Sequence, residues 1–171
     1  YKSGEILSKG NYSKGIKIGN WKFFYKNGHL EEEGNYNNKG EENGIWNLYY
    51  ETGDTMRIVE YLDGLYDGKY VFYNDSGLVI SSGIYKEGYE EGEWFYINGN
   101  NRQFGSYLNG EKIGEWRSYY NRKQIVFKGK YENGLPTGKH MFWYQNGALR
   151  RFGDYRIGRK NGDWYLSLIH I

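Results

Sequence analysis

Cysteine is absent from the 171 residues, alanine and proline occur once each (Ala148 and Pro136), and methionine occurs twice. Each scarcity removes a class. Without cysteine there is no disulfide framework, no thiolate metal site and no cysteine nucleophile. With a single alanine the chain is short of the best helix former, while 8 Phe, 6 Trp and 20 Tyr supply apolar mass in residues that suit pleated sheet. A helical bundle is excluded on that balance. No apolar run approaches the roughly 18 residues of a membrane-spanning helix. Charge of one sign is also missing: 23 basic and 21 acidic residues alternate along the whole chain for a net charge of +2. A nucleic-acid binder carries a basic stripe, so DNA and RNA are not indicated as partners, and neither is anionic lipid. Glutamate, lysine and asparagine bring the composition close to that of disordered chains. The aromatics decide for folding, because each can bury about 150–250 Å².

What is abundant is glycine, 26 residues in all, and it is periodic. An opening glycine recurs at Gly19, Gly44, Gly68, Gly92, Gly114, Gly138 and Gly162, spaced by 25, 24, 24, 22, 24 and 24 residues. Two residues later come Trp21, Trp46, Tyr70, Trp94, Trp116, His140 and Trp164. Nine residues after the opening glycine stands a second one at Gly28, Gly53, Gly77 and Gly147; a shorter unit has Gly99, and Lys123 replaces it once. A tyrosine follows at Tyr36, Tyr61, Tyr85, Tyr107, Tyr131 and Tyr155, then a further turn glycine from Gly40 to Gly158. This spacing predicts an all-β fold of tandem antiparallel β-hairpins with a period of about 24, forming one elongated twisted meander sheet. Asn27-Gly28, Asn98-Gly99, Asn109-Gly110, Asn133-Gly134 and Asn146-Gly147 read as two-residue type I′ turns.

Counting back from the turns places Trp21 opposite Gly34, Trp94 opposite Gly105 and Trp116 opposite Gly129, so that each ring lies across the facing glycine. Strand alternation then sorts the side chains. Trp21, Phe23, Tyr25, Leu30 and Tyr36 share a core face, as do Tyr70, Phe72, Asn74, Val79 and Tyr85; the structural core of the repeats is Trp21, Trp46, Tyr70, Trp94, Trp116 and Trp164. Lys22, Glu31, Glu33 and Asn35 point the other way, together with an outward aromatic ladder of Phe24, Tyr49, Tyr73, Tyr119 and Trp143, joined by Ile97. That ladder is the candidate partner-binding site.

The pattern from Gly19 to Gly40, G-x-W-x-x-Y-Y-x-N-G-x-L-x-x-x-G-x-Y-x-x-G in its general form, resembles the bacterial variant of the MORN repeat. It is also similar to the YwqK-family antitoxins of toxin–antitoxin systems, and the likeness extends over residues 4 to about 165. Val59 in place of a glycine, Lys123 at a turn and His140 at the tryptophan position depart from the pattern. The resemblance implies a hairpin array that acts as a scaffold or binds a protein partner, with antitoxin-like neutralisation by contact; membrane association also accompanies such repeats.

Catalytic chemistry finds no constellation. His29 follows a turn glycine and reads as exposed; His140 stands at a core position and reads as a partly buried polar substitute. Glu31, Glu32, Glu33, Glu41 and Glu42 alternate in direction along strands and read as a hydrated edge rather than a metal or acid–base cluster. No catalytic residue, metal or cofactor is expected, and the remaining glycines read as turns rather than phosphate cradles. Three readings remain: a non-enzymatic protein-interaction scaffold, which is favoured; an aromatic-repeat module that holds choline, glycan or another surface polymer between its rings; and an enzyme whose active site lies in terminal segments outside these residues. Residues 1–165 read as a single array. The segment Leu166 to Ile171 breaks its style and resembles a translated sequencing-adapter end, which would empty His170 of meaning. No leader is visible before Tyr1, and a natural start upstream is expected, which leaves the compartment open between cytoplasm and cell surface.

Overall fold

The computed structural model describes residues 4–167, so positions 168–171 of the suspected tail, His170 among them, lie outside it. All regular structure among the described residues is β-strand, in two compact units that divide at Tyr89 and Glu90. The first holds β1 (Ser8–Ser13), β2 (Ile16–Phe24), β3 (Leu30–Tyr36), β4 (Glu42–Tyr49), β5 (Thr55–Leu62), β6 (Leu65–Tyr73) and β7 (Val79–Lys86). The second carries β8 (Tyr89–Asn98), β9 (Asn101–Leu108), β10 (Glu111–Tyr120), β11 (Gln124–Glu132), β12 (Leu135–Trp143), β13 (Leu149–Arg156) and β14 (Arg159–Leu166). Within each unit the strands lie side by side in chain order, each antiparallel to the next, as the hairpin periodicity requires.

Most of the turns are of two kinds, and only one is the kind expected. At Lys14-Gly15, Asp63-Gly64, Glu87-Gly88, Asn109-Gly110, Asn133-Gly134 and Ile157-Gly158 both residues have positive φ, the two-residue type I′ connection. At Gly28, Gly53, Gly77 and Gly147 the glycine alone is left-handed. There the loop has three residues: Gly28 N donates to Tyr25 O and Tyr25 N to His29 O, both at 2.9 Å. Asn27-Gly28 and Asn146-Gly147 are therefore not type I′ turns. Asn27 instead accepts the His29 amide on its side chain at 2.9 Å, and Asn146 accepts that of Ala148 at 3.0 Å. Gly99 is left-handed without Asn98, because the shortened unit pairs Asn98 directly with Asn101.

The opening glycines are not turns either. Gly19, Gly44, Gly114 and Gly138 lie inside strands with φ between +60° and +77°. At each of them the register slips. Lys9 pairs with Lys22 and Asn11 with Ile18, so Gly19, Asn20 and Trp21 together face the single residue Gly10. Gly34, Gly105 and Gly129 are faced in the same way from β4, β10 and β12. Such a bulge needs a residue free to take positive φ, and it throws the last of the three side chains back across the partner strand.

Candidate functional site

The indoles of the repeat position, Trp21 and Trp46 in the first unit and Trp94, Trp116 and Trp164 in the second, occupy one face of each unit. Trp21 is Cα-paired with Gly34, and Trp116 with Gly129, as counted from the turns. The rings, however, lie over the glycine of the preceding strand. A Cβ placed on Gly10, Gly34, Gly105 or Gly129 would collide with Trp21, Trp46, Trp116 or His140 respectively. The bulge is the reason, since it turns the tryptophan back toward the earlier hairpin. Successive repeats are thus stapled by the indole, whose Nε1 donates to Asn11 O, Asn35 O or Ser106 O, at 3.2 Å in each case. Two tyrosines clamp the ring edge-on in several repeats: Tyr36 and Tyr61 hold Trp46 at 5.0 and 6.0 Å, and Tyr107 and Tyr131 hold Trp116 at 5.1 and 6.3 Å. Lysines close over the faces, Lys17 Nζ 4.8 Å from the Trp21 centroid and Lys112 Nζ 3.9 Å from that of Trp116. Trp116 is left with no exposure.

On the opposite face stand the ladder residues, all half-buried. In the first unit Phe24 pairs with Leu30, Tyr49 with Thr55 and Tyr73 with Val79; in the second, Tyr119 pairs with Ile125 and Trp143 with Leu149. Directly paired residues share a face. Leu30 and Val79, expected among the core rings, therefore belong beside the ladder. The three-residue turn and the unpaired Glu31 advance the strand by one place, which exchanges the faces of the residues before the slip. Glu32, which lies after the slip and opposite Phe23, stays on the indole face with Gly34 and Tyr36 and sits half-buried there rather than at a hydrated edge.

Tyr49 is tethered: its hydroxyl donates to Glu33 Oε1 at 2.8 Å, and Lys22 Nζ lies 2.9 Å from Glu33 Oε2. Burial, and then the Glu33 carboxylate, push the Tyr49 hydroxyl up to about 12. Tyr119 meets Phe104 edge-on at 6.2 Å, and Phe104 in turn lies 6.2 Å from Phe95. Trp143 borders a hollow of about 670 Å³ with Val126, Tyr144, Asn146 and Arg150. The aromatic character of this face in the second unit exceeds the sequence reading. Phe95, Phe104, Phe152 and Tyr165 occupy places where the first unit has Lys22 and Glu33, so a pattern taken from one repeat hid them.

With this geometry in place, one comparison bears on the chain. Residues 17–38 match the family model described as a MORN repeat variant. The match spans β2, its three-residue turn and β3, the hairpin that carries Trp21, Phe24 and Tyr36. No curated protein matches the chain. MORN repeats are in general modules that bind proteins or membranes.

The titratable groups of the MORN-variant hairpin and its neighbours serve packing. Glu32 is raised above the ordinary carboxylate range by burial and by Glu31 and Glu42, against the pull of Lys17 and Arg57. The hydrogen bond from Lys22 and then that from Tyr49 hold Glu33 below it. His29 Nδ1 lies 2.6 Å from Glu51 O, at the tip of the adjacent hairpin. His140 is more deeply buried than its sequence position suggested, 2% exposed, among Phe127, Tyr131 and Tyr155. Its Nε2 lies 2.8 Å from Lys130 O, and since a carbonyl only accepts, Nε2 carries the proton, as the indole Nε1 does elsewhere. Desolvation lowers its pKa. Among the described residues no group of three His, Asp or Glu is placed to hold a metal ion.

Proposed function

We propose that this protein is a non-enzymatic repeat scaffold that captures a protein partner through the ladder residues of its units, Phe24, Tyr49 and Tyr73 in the first and Tyr119 and Trp143 in the second. The observation that carries this reading is the contrast between the two faces. Trp21, Trp46, Trp94 and Trp116 are buried, with Lys17 and Lys112 closing over the rings of Trp21 and Trp116, whereas the ladder rings keep part of their surface in water. Half-exposed aromatics with polar neighbours are the residues from which interface hot spots are made. The MORN-variant match at residues 17–38 supports a binding role, and the resemblance to YwqK-family antitoxins supports a partner neutralised by contact. The ligand-module alternative is weakened by the same contrast, because a choline-like cation needs an open ring face and Lys17 and Lys112 already fill that place.

The test is affinity capture with the intact chain and with a Tyr73→Ala/Tyr119→Ala variant. Loss of the captured protein with a far-UV spectrum unchanged is the expected result. A variant that unfolds as readily as Trp116→Ala would show the ladder to be core and remove the assignment. Titration with choline or soluble glycans should leave tryptophan fluorescence flat.

A further inference from the structure

The second unit carries 13 basic and 8 acidic residues from Glu90 to Ile171, against 10 and 13 from Tyr1 to Tyr89, so charges that nearly balance over the whole chain are divided unequally. On the ladder face of the second unit one row of directly paired residues crosses the strands from β8 to β13. Phe95 pairs with Phe104, Phe104 with Arg117, Arg117 with Lys128, Lys128 with Met141 and Met141 with Phe152. Two cations thus stand side by side between two apolar pairs. We propose that this row binds a stretch of partner chain laid across the strands in extended form, with one acidic side chain between two apolar ones in the order apolar-x-acidic-x-apolar. The row shares its face with Tyr119 and Trp143, and the proposal rests on the reading that this face captures a protein.

Spacing sets the order of the partner's side chains. Neighbouring strands lie about 4.8 Å apart, so Phe104 and Met141, three strands from each other, are separated by about 14 Å, while an extended peptide covers about 13 Å from residue i to i+4. Residues i, i+2 and i+4 of such a peptide point to the same side. With those at i and i+4 resting on Phe104 and Met141, the one at i+2 falls between Arg117 and Lys128. Charge asks for an acid at that place. Arg117 and Lys128 share a single carboxylate, Glu115, whose Oε1 pairs with Arg117 and whose Oε2 lies 2.9 Å from Lys128 Nζ, so positive charge remains in excess. The two cationic side chains are 50% and 42% exposed, and an incoming carboxylate can reach both. Phe104 is 40% exposed, and a hollow of about 260 Å³ beside it, bordered by Glu93, Ser106, Glu115 and Arg117, gives an apolar side chain its seat. In the first unit the equivalent row reads Lys22, Glu33, Asn47, Ile58 and Val71, and Lys22 is already paired with Glu33 at 2.9 Å. That row sets no cation between apolar anchors, so the preference belongs to the second unit.

The probes are three dye-labelled peptides, followed by fluorescence anisotropy as the full chain is added. One is Gly-Ser-Leu-Ser-Glu-Ser-Phe-Ser-Gly, the second carries Gln in place of the central Glu, and the third, Gly-Ser-Leu-Glu-Ser-Ser-Phe-Ser-Gly, moves the acid to the other side of the extended chain. The centred Glu peptide should bind roughly three- to fivefold more tightly than either of the others, the scale of one exposed ion pair, and added salt should shrink the difference. Arg117→Thr/Lys128→Thr should abolish the preference while binding the Gln peptide as the wild type does, and that retained binding also shows the variant to be folded. Equal binding of the centred and shifted peptides, no preference for Glu over Gln, no saturable binding of any peptide, or a double variant that keeps the preference would overturn the proposal. The reading of the ladder itself is judged separately, by partner capture with the Tyr73→Ala/Tyr119→Ala variant.

Discussion

The smallest decision in this fold is what lies beneath an aromatic ring. Gly34 has no Cβ, and Trp46 fills that space, so Gly34→Ala should destabilise by about 1–3 kcal/mol in thermal unfolding through overpacking. Trp116→Ala, which empties a fully buried site, should lose about 3–5 kcal/mol. One repeat tests the rule from inside the chain: where the glycine is replaced by the fully buried Val59, the ring paired with it is the smaller Tyr70. Tyr70→Trp should therefore destabilise alone, and Val59→Gly should relieve it in the double variant, a coupling that denaturant melts would measure. His140 adds a pH dependence. Its folded pKa lies below the ordinary 6.5, so the unfolded chain binds the proton more readily; stability is unaffected by this group above about pH 6.5 and declines as pH falls below it. His140→Trp should remove that slope, and a melting series from neutral to mildly acidic pH would register the difference.

At the level of strands and turns, the two turn types divide the labour. The two-residue turns demand positive φ at both places, and the chain meets the demand even with Ile157, at φ +47° and 76% exposed. A β-branched residue is strained there, so Ile157→Asn should raise stability by about 1 kcal/mol. The three-residue turns are held to the next hairpin by tyrosine hydroxyls: Tyr25 donates to Tyr49 O and Tyr50 to Tyr73 O, both at 2.7 Å. Tyr50→Phe should lose about 1 kcal/mol with little change in the far-UV spectrum. That turns exist near Gly28 and Gly147 was legible from their spacing. Their length was not, because Asn-Gly serves a type I′ pair at Asn133-Gly134 and the end of a three-residue loop at Asn27-Gly28, and one inserted place moves Leu30 to the ladder face.

For the molecule as a whole, contacts run almost entirely between neighbouring strands, so stability in each unit is a sum over adjacent hairpins. Amide exchange should then be graded. In the first unit β1, exposed along its length, should exchange before β4, whose Trp46 is buried and doubly clamped. Uniform exchange rates across β1 to β7 would contradict that account. A layer of this kind leaves both faces of the sheet near water, which explains how a buried indole row and a half-exposed aromatic row coexist on opposite sides of the same strands.

The amino-acid sequence by itself determined the hairpin, its period of about 24 and the pairing of Trp21 with Gly34 and Trp116 with Gly129, because glycine spacing and strand alternation are local properties of a repeated unit. Tertiary structure alone decided that the rings turn back onto Gly10 and Gly105, that the opening glycines form bulges, and that Phe104 and Phe152 join the ladder face. Those outcomes depend on how a strand slips against its neighbour, and register is settled by two strands packing together rather than by either one alone.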